Sequence, residues 1–105
     1  MKIRLIQKSL SDPDRPVSHI ECETSALTVR DFISESVSAN YARKPARESL
    51  AECITLAEDN FVGSGFYIVN TTANHRYTAL DEPLSASEND ELAIIKLKYV
   101  RGMIW

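Results

Sequence analysis

Residues Ile20 to Ile33 read IECETSALTVRDFI, and the hydrophobic period changes inside them. Ser18, Ile20 and Cys22 alternate with His19, Glu21 and Glu23, the period of two that puts one face of a strand inward. From Thr28 the apolar residues Val29, Phe32, Ile33, Val37 and Tyr41 recur at helical spacing and form a single stripe. Thr28 supplies a hydroxyl to cap the free amide three residues on, and Asp31 suits the positive end of the helix dipole. A strand over Val17–Glu23 followed by a helix packed on a sheet is the expectation.

Upstream, residues 2 to 8 alternate around Ile3 and Leu5 and predict a first strand. Ser9 to Pro16 (SLSDPDRP) holds two prolines and two aspartates and predicts an exposed turn, so the first two strands form a hairpin. Downstream, Lys44-Pro45 ends the helix, because proline disfavours helical geometry in the residue before it. Ala46, Leu50, Cys53, Ile54 and Ala57 then predict a second, shorter helix over 46–59, with Pro45 in its first turn. Gly63-Ser64-Gly65 is a break. Phe66 to Val69 predicts a strand, His75 to Ala79 a short one, Leu80 and Leu84 anchor an irregular segment, and Ser85–Glu91 is a solvated loop. Leu92 to Val100 is the last strand, with Leu92 and Ile94 in the core.

The totals bound the rest. A chain of 105 residues is one domain, able to bury about 65% of its unfolded surface and so to build a core without staples. Twelve basic against fifteen acidic side chains, with no basic cluster, argue against nucleic acid as a partner. No run approaches the ~20 apolar residues of a membrane span, and the N-terminal residues alternate rather than form an export signal. A cytoplasmic protein is expected, with no membrane partner. Cys22 and Cys53 stand alone, without CxxC or a histidine at ligand spacing; two buried free thiols are expected, with a disulfide as the alternative. His19 and His75 are far apart, and no serine or cysteine sits in a nucleophile motif, so neither an enzyme nor a metal or organic cofactor is expected. Arg30, Arg43, Lys44 and Arg47 read as a solvated helix surface.

The element order, together with two local stretches, resembles the β-grasp or ubiquitin-like superfamily. Ile20–Ser25 leading into Thr28–Ile33 is similar to the second strand and helix start of ubiquitin. Leu80-Asp81-Glu82-Pro83-Leu84, then Glu88–Ile95, looks like the corresponding segment of the sulfur-carrier branch. The resemblance implies an α+β domain over 1–102, a mixed sheet of four to five strands packed on a main helix, with the helix at 46–59 as an addition and 103–105 as a short extension.

Function in that superfamily lies in a tail ending on Gly-Gly, which threads into an activating enzyme so that its carboxylate is adenylated. A Cβ would crowd such a channel. This chain has Arg101-Gly102 and a single glycine, followed by Met103, Ile104 and Trp105. The resemblance therefore implies a modifier or sulfur carrier whose Gly102 is activated after a peptidase removes 103–105, with an activating enzyme and target proteins as partners. The alternative is a β-grasp interaction module or small subunit in which Met103-Ile104-Trp105 folds back on the domain or sits between two copies. In either case Ala93, Ile95 and Leu97 fall opposite Leu92 and Ile94. With Tyr67 or Ile68 they would form an apolar partner-binding patch on the sheet face away from the main helix, unless the second helix covers it.

Overall fold

The computed structural model describes residues 1–98 and 104–105. Strand β1 (Lys2–Ser9) and strand β2 (Ser18–Glu23) form the antiparallel hairpin, with Ile3 opposite Cys22 and Leu5 opposite Ile20. Alternation in β1 puts Ile3, Leu5 and Gln7 on the buried face.

Helix α1 (Val29–Arg43) is capped by Thr28, whose side chain accepts from the Asp31 amide at 3.2 Å. Its Val29, Phe32, Ile33 and Val37 are buried. It stops at Lys44, which is forced out of helical geometry (φ −147°, ψ 85°) by Pro45. Helix α2 is Leu50–Val62, starting later than the expected 46–59 and running further. The expectation took Pro45 as a helix start. The stronger signal was Ser49, whose hydroxyl accepts from the Glu52 amide at 3.2 Å and fixes the first turn there. Gly63 closes the helix, its N–H donating to the Asp59 carbonyl.

Three strands complete the sheet: β3 (Phe66–Asn70), β4 (His75–Tyr77) and β5 (Glu91–Lys96). The order is β2-β1-β5-β3-β4, with β5 parallel to β1 and antiparallel to β3. This is an α+β domain with a five-stranded mixed sheet and two helices.

The predicted last strand is shortened. Its pairing ends at Lys96, opposite Ser9 on one side and Phe66 on the other, where both partner strands run out. Leu97 and Lys98 bend away, with the Leu97 amide on the Gly65 carbonyl; residues 99–100 lie outside the described set.

The core holds Ile3, Leu5, Ile68, Leu92 and Ile94 from the sheet with the α1 stripe and Cys53, Ala57 and Phe61 of α2. The Phe61 and Phe66 rings sit 5.7 Å apart. Both helices therefore cover one sheet face. Ile68 faces them, and so drops out of the patch expected on the other side. Leu84 is buried and Leu80 half-buried, as their segment's reading required.

The stretch 85–91 is more tied down than a solvated loop. Asp90 accepts from the Ser87 amide and from the fully buried Asn70, both at 2.9 Å. These bonds hold its carboxyl below the usual carboxylate range.

Candidate functional site

The ladder registers build the face that neither helix covers. One row runs His19, Ile6, Ala93, Val69, Arg76 across β2, β1, β5, β3 and β4; the next runs Lys8, Ile95, Tyr67. Five apolar side chains thus meet on one face. Ile6, Tyr67, Val69 and Ile95 are half-buried, while Ala93 is only 4% exposed and forms the floor between them. Of the expected patch, Tyr67, Ala93 and Ile95 come together, Ala93 as a floor rather than a contact. Leu97 lies beyond the end of β5.

Ile6, Val69 and Arg76 were not anticipated. Ile6 had the right parity, opposite to Ile3 and Leu5, but only the parallel pairing of β1 with β5 sets it beside Ala93. The Arg76 guanidinium lies 3.6 Å from the centre of the Tyr67 ring, a cation–π contact that stiffens one rim. At one end of the face Arg4 is opposite Glu21 and Glu91, and Lys2 pairs with Glu21, so two cations meet two carboxylates. Lys8, beside Ile95, and Arg76, at the β4 edge, make no ion pair among the described residues. The result is an apolar centre with an unbalanced positive charge on either side.

The second feature is the segment 101–105. Arg101, Gly102 and Met103 lie outside the described residues. Ile104 is 1% exposed and belongs to the same core as Leu5 and Phe32. Trp105 is half-buried, with the Lys96 ammonium 4.0 Å and the Arg15 guanidinium 5.7 Å from its ring. Burial, and then the neighbouring Arg15, push the Lys96 pKa down. The wrap of cations around one indole ties residue 105 to both β5 and the loop between β1 and β2.

Other titratable residues are held in pairs or by burial. His75 Nε2 is 2.5 Å from Glu82 Oε1, and Arg30 bridges Glu58 and Asp81. Cys22 is half-buried and Cys53 buried, both as free thiols, and burial raises each pKa. Among the described residues no three His, Cys, Asp or Glu are gathered as a metal ion would require, and no helix is long and apolar enough to cross a membrane. Comparison of the chain with family models, curated proteins and solved structures found no match in any of the three.

Proposed function

We propose that this chain is a β-grasp interaction module that binds a partner protein through its open sheet face. The strand order, with β1 and β5 parallel at the centre and a main helix on one side, supports the β-grasp assignment. The observation that carries the binding reading is the row-by-row meeting of Ile6, Tyr67, Val69, Ala93 and Ile95 away from both helices. Apolar groups gathered on an open face mark an interaction site, and a desolvated aromatic beside an arginine is the composition of a binding hot spot. The positive charges of Lys8 and Arg76 on either side select the partner's chemistry: an apolar anchor segment carrying carboxylates.

The modifier or carrier reading through Gly102 has support in the early end of β5, at Lys96. It is opposed by Ile104, because trimming after Gly102 would remove a core side chain. We therefore favour the module, with Ile104 and Trp105 as part of it.

The test is site-specific photocrosslinking in the native cell, with a photoreactive residue in place of Tyr67 and, as control, of Glu52 on the outer side of α2. The expected result is a discrete protein adduct from position 67 alone, lost when Ile95→Asp or Lys8→Glu with Arg76→Glu is added. Equal adducts from both positions, or none from 67, would overturn the reading. A mature form ending at Gly102 and joined to another protein would favour the modifier instead.

A further inference from the structure

A groove of about 420 Å³ runs between α1 and the β1–β2 hairpin, on the helix side of the sheet and independent of the open face. Its walls are apolar: Leu5 and Ile20 from the hairpin, Phe32 from α1, and Ile104. Such a volume falls in the roughly 300–1,000 Å³ range of small-molecule sites. One end is shut by a bridge from sheet to helix, in which Thr24 Oγ1 donates to Glu35 Oε1 at 2.5 Å and the Ser25 amide donates to Glu35 Oε2 at 3.0 Å.

Toward the other end lies Gln7, paired with Ser18 at the far end of the ladder from Glu23. Gln7 is 8% exposed, lines the groove, and its carboxamide makes no hydrogen bond among the described residues. The Gln7 amide is not among the sealed, unpartnered polar atoms of the described residues, so its donor and acceptor stay open to whatever enters the groove. Arg43, near the end of α1, lines the same groove; one of its nitrogens donates to Asn40 Oδ1, and its remaining N–H groups are left for another acceptor.

We propose that this groove binds a small amphiphilic carboxylate. The alkyl part lies along Leu5, Ile20 and Phe32, and the head group accepts from the Gln7 amide and the Arg43 guanidinium. The Arg43 cation chooses the head: of the two carboxylates in the lining, Glu35 already accepts from Thr24 and Ser25 and Glu23 is paired with the N-terminal ammonium, while the Gln7 amide can donate to the same oxygen. The closed Thr24–Glu35 end favours a ligand that stops there over a peptide that passes through.

The probe is decanoate, followed by backbone-amide chemical shifts and by the alkylation rate of Cys22, which lines the groove, with buried Cys53 as internal control. The expected result is saturable binding that shifts Gln7, Ile20 and Ser36 and slows Cys22 alkylation at least fivefold. Decanol and the Arg43→Gln variant should each bind at least tenfold more weakly. Ala39→Trp, which fills the groove from its exposed rim, should abolish binding; if that variant proves unfolded, Arg43→Gln alone decides. Equal binding of decanoate and decanol, shifts centred on Ile95 and Tyr67, or no saturation at millimolar decanoate would overturn the proposal.

Discussion

Glu82 holds the segment after β4 through a single carboxylate. Its Oε2 accepts from the Thr78 amide at 2.8 Å and the Ala79 amide at 3.5 Å, and Oε1 faces His75. Burial works to raise the Glu82 pKa, but the bonds from Thr78, His75 and Ala79 outweigh it and leave the pKa below the ordinary value of 4.5. A carboxylate depressed in this way stabilises the fold above the ordinary value and loses that contribution as pH falls through the folded pKa. Glu82→Gln should therefore cost about 1 kcal/mol near neutral pH. That difference should shrink as pH drops below about 4.5, as read by urea unfolding at a series of pH values; a pH-independent difference would contradict the assignment. The sequence showed Leu80 and Leu84 as anchors here, because apolar residues in a polar stretch stand out. Nothing in it marked Glu82 as their support, since a loop carboxylate looks the same whether it faces water or three donors.

At the scale of elements, hydrophobic period and capping chemistry decide, and both are local. The α1 stripe from Val29 to Val37 was legible for that reason, and Phe32→Ala should cost roughly 3–5 kcal/mol in urea unfolding, as the truncation of a buried aromatic. The α2 boundary was misread because Pro45 and Ser49 both signal a helix start, and only the observed cap distinguishes them. Ser49→Ala should accordingly cost about 1 kcal/mol, while Ala46→Gly, outside the helix, should cost less. Equal losses at the two positions would return the helix start to residue 46. The end of β5 could not be read at all from propensity, which continues through Leu97. It is set by the ends of its neighbours at Ser9 and Phe66, and so by tertiary pairing.

At the scale of the whole molecule, the parallel pairing of β1 with β5 brings residues some ninety positions apart into one ladder, a contact no local pattern encodes. It creates both faces at once: a helix-covered core and the open row of Ile6, Ala93 and Val69. The sequence placed Ala93 and Ile95 on one side by parity, but it left Tyr67 and Ile68 as alternatives beside them and could not say which side α2 would take. It also left open whether residues 103–105 pack or hang free, because an apolar segment after a glycine fits either. The chain's single tryptophan makes that question measurable. Trp105 emission should report the same urea midpoint as far-ultraviolet circular dichroism if the segment unfolds with the domain.

The most direct test compares the unfolding free energy of the full chain with that of a chain ending at Gly102. Loss of Ile104 from the core and of Trp105 from its cation-lined seat should destabilise the shorter chain by about 2 kcal/mol or more, with the midpoint shifted accordingly. An unchanged free energy, together with adenylation-dependent pyrophosphate exchange by the shorter chain alone, would contradict the account and return Gly102 to the centre of the protein's function.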